Sequence, residues 1–127
     1  MPVENSWLIK DRVMLTRLYG HISVEDMVRN AREGTAMIES GVAPVYSLVD
    51  ASGIDQFPLR LNEMKSISEQ GSSDKLGWIV IYGIPNRFIS FLATTFVQVI
   101  GKRYKVVATF DEALAFVNMQ EGHPLGQ

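Results

Sequence analysis

The chain has no cysteine, which excludes disulfides, thiolate metal sites and cysteine nucleophiles. Histidine is scarce too. His21 and His123 share no ligand spacing with each other or with a helix face of carboxylates, so no metal centre is expected. Charge of one sign is also lacking: 12 basic and 14 acidic residues leave a formal net charge of -2, whereas nucleic-acid-binding domains carry a strong basic excess. Lys102, Arg103 and Lys105 form too small a patch to reverse this, and no nucleic-acid partner is expected. Neither a Gly-x-Ser-x-Gly elbow, a Walker loop nor a Rossmann glycine pattern follows any apolar run. Ser52 therefore reads as a turn serine rather than a nucleophile, and the residues imply no enzyme activity and no cofactor. The longest nearly apolar segment, Phe88 to Ile100, falls short of the roughly 20 residues that span a bilayer. It reads as a buried helix, not a membrane span. The opening Met1-Pro2-Val3-Glu4-Asn5-Ser6 lacks the charged start and apolar run of a secretory signal, so a cytoplasmic location is the expectation.

What is present suits one globular unit. With 127 residues, 46% hydrophobic and 20% charged, the chain can bury a real core. A single domain over residues 1–127 is expected, its core at about 6–120 and a frayed tail at 121–127. The focal stretch lies between Pro44 and Pro58. Val45 to Val49 is β-rich and too short for a helix, and Asp50-Ala51-Ser52-Gly53-Ile54 then reads as a turn of small polar residues around a glycine. If this strand is central and parallel, that turn sits at the carboxyl end of the sheet, where open α/β folds place ligands.

The remaining elements follow in order. Trp7 to Ile9 and Val13 to Tyr19, around Lys10-Asp11-Arg12, form an antiparallel hairpin that Gly20 and His21 close. Ser23 and Asp26 make a capping box for a first helix from Val24 to Gly41, with Val24, Met27, Val28, Ala31 and Ile38 on its core stripe. Pro58 suits the first position of a second helix running to about Gln70, its stripe formed by Leu61, Met64 and Ile67. Gly77 to Tyr82 is apolar on both faces, as a central strand requires. Gly83 to Asn86 turns into a third helix ending at Gly101, Tyr104 to Ala108 is a last strand, and Thr109 with Glu112 caps a final helix to about Met119. The predicted class is α/β: a hairpin followed by three βα units, a mostly parallel sheet of about five strands, and four helices.

This order of features resembles the small STAS-like proteins, the group related to anti-sigma-factor antagonists and to the cytoplasmic domains of sulfate transporters. It spans Trp7 to Met119 and rests on the hairpin ending in Tyr19-Gly20, Ser23-Val24-Glu25-Asp26, Val49-Asp50-Ala51-Ser52-Gly53, Gly77 to Gly83, and Thr109 to Phe116. The resemblance implies a non-enzymatic regulatory or protein-interaction domain. The antagonists carry a phosphorylated serine in an Asp-Ser-Ser-Gly turn at the start of the second helix. They also carry an earlier Asp-Leu-Ser-Gly at the strand end, and Asp50-Ala51-Ser52-Gly53 could match either motif; spacing favours the earlier, which puts the phosphorylated position at Leu59 or Arg60, so no phosphoserine switch is expected. The alternative is a carrier of a small apolar or lipid-like ligand, which would show a cavity where an interaction module would be fully packed.

Two groups of candidate residues result. Parallel strands would line up His21, Asp50, Ser52, Asn86, Arg87 and Asp111 along one carboxyl edge, as ligand or anion contacts or as plain caps and turns. On the third helix, Phe88, Ile89, Leu92, Ala93, Phe96, Val99 and Ile100 fall on the predicted core arc, while Phe91 falls on the outer side. Either a loop covers Phe91, or it anchors a homodimer or another protein partner with Thr94, Thr95 and Gln98 around it.

Overall fold

The structure, a computed structural model, describes residues 2–57, 60–69 and 72–125. Its elements are β1 (Val3–Ile9), β2 (Val13–His21), α1 (Val24–Ser40), β3 (Val45–Gln56), α2 (Leu61–Ser68), β4 (Leu76–Tyr82), α3 (Arg87–Ile100), β5 (Tyr104–Val106) and α4 (Phe110–Glu121). The five strands form one sheet in sequence order. β1 runs antiparallel to β2, and β2 through β5 are parallel. This is the predicted topology.

Local chemistry sets the helix starts. The Ser23 hydroxyl accepts from the Asp26 N–H and the Asp26 carboxylate accepts from the Ser23 N–H, so two otherwise orphaned donors of the first turn are paired. That backbone N–H is the main cause holding the Asp26 carboxyl below its ordinary pKa, with Arg29 adding to it. Asn86 caps α3 by accepting from the Ile89 N–H, and Thr109 caps α4 by accepting from Glu112. The end of α1 is finished from a distance. Its last turn contains no basic residue, and the Lys75 ammonium donates to the Glu39 and Gly41 carbonyls at 2.6 and 3.1 Å, where a cation complements the helix dipole. The Arg12 guanidinium likewise pairs with Glu121, tying the hairpin turn to the last turn of α4.

Sequential parallel strands joined by crossovers of one hand place all the crossing helices on one face. Side-chain alternation shows that partition. Val49 and Ala51 of β3 pack with Met27, Met64, Ile67, Ile89, Leu92 and Val97 from α1, α2 and α3. Tyr46 and Leu48 point the other way, against Ala113 and Val117 of α4.

Several boundaries differ from the sequence reading, each for a tertiary reason. β3 does not turn at Asp50; it continues to Gln56, pairing Gly53 with Tyr19 and His21 with Gln56 through two register shifts. The small polar residues and the glycine mark a bulge rather than a chain reversal. Gly53 is needed for close approach, because a Cβ there would lie 2.8 Å from the Tyr19 Cβ. α2 starts at Leu61 with Arg60 as its N-cap, not near Pro58; Pro58, Leu59, Gln70 and the Leu61 side chain are outside the described residues. β5 is shorter than expected, though the Val107 N–H still donates to Ile81. The tail folds back as far as Leu125, whose N–H donates to Asn118 and whose side chain joins the α4 cluster. Residues 126 and 127 are outside the described residues.

Two glycines should respond in opposite directions. Gly53→Ala forces apart the β2 and β3 backbones and is expected to lower unfolding free energy by about 1–3 kcal/mol. Gly34→Ala in α1 puts its methyl at ordinary contact, 3.6 Å from the Met14 Cε, and should raise stability by roughly 0.5–1 kcal/mol through helix propensity. Urea denaturation of both variants checks the pair, and equal effects would contradict the packing described.

Candidate functional site

The carboxyl edge holds the first group of predicted residues, but their side chains do local work. The Asp50 carboxylate accepts from the Ser52 N–H at 3.0 Å and the Ser52 hydroxyl at 2.6 Å, pinning the bulge. Ser52 also lies against the next turn, since a Cβ on Gly83 would come within 3.0 Å of its own. Asn86 is spent on its cap. Arg87 and Asp111 are exposed in the first turns of α3 and α4. His21 is exposed opposite Gln56, four residues beyond Arg17, which sits opposite Asp50. That offset is about 13 Å along the strand, so His21 and Asp50 do not form an acid–base pair.

The sequence reading missed Arg17 and Tyr82 as neighbours of Asp50. Register places Arg17, Asp50 and Tyr82 side by side on successive strands. Tyr82 is buried, packed edge-to-face on Phe110 at 5.7 Å. Burial pushes its phenol above the ordinary pKa and the Asp50 charge pushes the same way, while Arg17 opposes them. Only a register, which one strand does not carry in its own residues, could have joined these three.

On α3 the exposed side differs from the predicted arc. Ile89, Leu92, Ala93 and Val97 are buried, whereas Phe88, assigned to the core, is 61% exposed. The buried stripe is rotated toward Val97, which leaves Phe88 on its flank. Phe91 is 65% exposed, so no described loop covers it. Thr94 and Thr95 donate their hydroxyls to carbonyls one turn back, at Ser90 and Phe91, and Gln98 reaches the Tyr104 hydroxyl. These polar groups are satisfied within the fold.

A further feature lies elsewhere, between the sheet and the three helices on its crossover face. A cavity of about 190 Å³ is floored by β2, β3 and β4 and roofed mainly by α1 and α3. Small residues open it: Ala31 and Gly34 on α1, Ala51 on β3 and Ala93 on α3 line it where larger side chains would fill the layer. Phe57 and Phe96, in edge-to-face contact at 5.7 Å, also line it, and the lining runs out to half-buried Lys102 and exposed Ser72. Thr16, Ser47 and Ser73 are the buried polar side chains of the described core, and all three border this space. The available signal was Ala31 and Ala93, small residues on helix stripes already assigned to the core. Their coincidence across layers was not legible without the packing.

No family model matches the chain, and no curated protein sequence matches it. Among solved structures it is similar to the crystal structure of an uncharacterised protein of the DUF3478 family from Shewanella loihica PV-4, described as having a SpoIIAA-like fold. The TM-score is 0.62 at 11% sequence identity, over 91% of each chain. At that identity the likeness is one of architecture: the chain has the SpoIIAA-like, STAS-like α/β fold.

Proposed function

We propose that this domain binds a small, mostly apolar ligand in the cavity between its sheet and helices α1 and α3, the carrier reading of the two that the sequence left open. The observation that carries it is the cavity itself. Protein interiors are packed to crystal-like density with few voids larger than a water molecule, and each cavity in a core lowers stability. A space of about 190 Å³ bordered by Ala31, Gly34, Ala51 and Ala93 is hard to explain as packing alone. Its size sets the ligand class. An apolar cavity of about 150 Å³ stays dry and takes benzene, while drug-sized ligands need about 300–1,000 Å³. The occupant is therefore benzene-sized or a little larger, rather than a long acyl chain. Among the described lining residues only Lys102, at the outer end, is ionisable, so the space offers no acid–base pair. Binding is the activity that the lining supports.

A second reading is favoured by Phe88 and Phe91, which stand exposed one turn apart on a helix with no charged residue after Arg87. Exposed aromatics of this kind anchor partner surfaces, and self-association through α3 would give the domain an interaction role. Sedimentation of wild type against Phe91→Ser at micromolar concentration tests it. A dimer lost in the variant supports the reading; wild type that sediments as a monomer, or a variant that stays dimeric, rejects it.

The ligand reading is tested with benzene. At tenfold excess over its dissociation constant it should raise unfolding free energy by about 1.4 kcal/mol. Ala93→Leu, which builds into the cavity, should fold and lose that stabilisation. No benzene effect on wild-type unfolding, together with unmoved NMR signals at Ala31 and Ala51, would overturn the proposal.

A further inference from the structure

We propose that the β5 edge of the sheet is a docking site for an acidic, extended segment of a partner protein, which adds to it as a further strand; this surface is separate from the cavity and does not depend on it. β5 is an outer strand, and the phase of its ladder fixes what it offers. The Ile79 N–H donates to the Arg103 carbonyl and the Val107 N–H to the Ile81 carbonyl, with Lys105 opposite Val80 between them. In a parallel ladder that phase turns the backbone groups of Lys105 toward β4 and sends the N–H and C=O of Tyr104 and Val106 outward. No described strand lies beyond them.

The side chains select what pairs there. Lys102, Arg103 and Lys105 crowd three cations onto this edge, and none of them is in an ion pair among the described residues. Alternation sends Arg103 and Lys105 to the α4 face, where the Arg103 guanidinium lies 5.3 Å from the centre of the Trp78 ring and the Lys105 ammonium 5.9 Å from that of Phe116. The two rings meet edge-to-face at 5.1 Å. They hold the cations in place without neutralising them. Residues two apart on a strand are about 6.6 Å apart, which is also the spacing of carboxylates at alternate positions of an extended peptide. On the other face the edge presents half-buried Tyr104 and Val106, 37% exposed, which suit apolar side chains at the intervening positions. The partner segment therefore alternates acidic and apolar residues, its main chain supplying affinity and its alternate side chains specificity. A second copy of β5 does not fit, because antiparallel pairing would set these cations against one another. Lysine on an edge strand deters neutral and basic strands; for an acidic strand the same charge is an attraction.

Two end-capped octapeptides of one composition test this by NMR titration of the isotope-labelled protein: one alternates glutamate and valine, the other carries its glutamates in one block and its valines in another. The alternating peptide should bind more tightly, shift the amides of Tyr104 and Val106, and slow their hydrogen exchange. Replacing both cations, Arg103→Gln with Lys105→Gln, should weaken it roughly two- to thirtyfold, the range for two exposed ion pairs. Val106→Pro removes an outward donor and leaves the β4 ladder intact, a place where edge strands tolerate proline, and should weaken it roughly two- to tenfold. Unmoved signals of the buried Leu48 and Val80 show that a variant is folded; if the proline variant fails that check, the charge variant and the two peptides carry the test. Equal affinity for the two peptides, or binding without protection of Tyr104 and Val106, reduces the effect to non-specific attraction and overturns the proposal, as does binding of neither. Protection that is present without peptide and rises with protein concentration assigns the edge to a second copy and overturns it as well.

Discussion

Every feature of the cavity side depends on one geometric constraint, the stacking of three crossover helices on a single face of a sheet whose strands run in sequence order. Right-handed connections between neighbouring parallel strands leave no choice of side, so α1, α2 and α3 must share one surface while α4 alone covers part of the other. The shared layer is long relative to the sheet. β3 extends past its expected end to Gln56, alongside β2 as far as His21, and that extension carries Ala51 and Ile54 into the core beneath the helices. Where the helices meet the sheet through alanine and glycine instead of leucine, the layer does not close.

The resulting core combines two kinds of packing. Around Val13, Leu48, Val80 and Val117 on the α4 side, side chains are fully buried and apolar, and nothing suggests a purpose beyond stability. On the crossover side, polar atoms sit among apolar ones, some satisfied and some not. An unpaired buried acceptor such as the Asn30 oxygen disfavours the folded state by about 1–3 kcal/mol, and a cavity in the same layer adds to that. Stability alone would replace Ala93 with something larger. That small residues persist around one space is the physical reason to read a ligand into it.

What the sequence shows clearly is what local chemistry decides. The caps at Ser23, Asn86 and Thr109 are legible because a side chain three residues from its partner needs no tertiary information. Strand order follows from the alternation of β and α segments and their short connections. Legibility ends where a neighbour decides. Gly53 is a bulge and not a turn because Tyr19 lies across from it, Phe88 is exposed because the buried stripe of α3 swings toward Val97, and α1 is finished by Lys75 from the loop before β4. The candidate site is the extreme case. Ala31 and Ala93 read as small members of two separate helix stripes, and only the packing of the layers brings them to one space.

The central claim is that the space between the sheet and helices α1 and α3 is open in the folded protein and accepts an apolar guest. A crystal structure determined under xenon pressure measures this most directly. The account predicts xenon bound among Ala31, Gly34, Ala51 and Ala93, with the surrounding backbone unmoved. A structure in which side chains close that space, or in which xenon leaves it empty, would contradict the account.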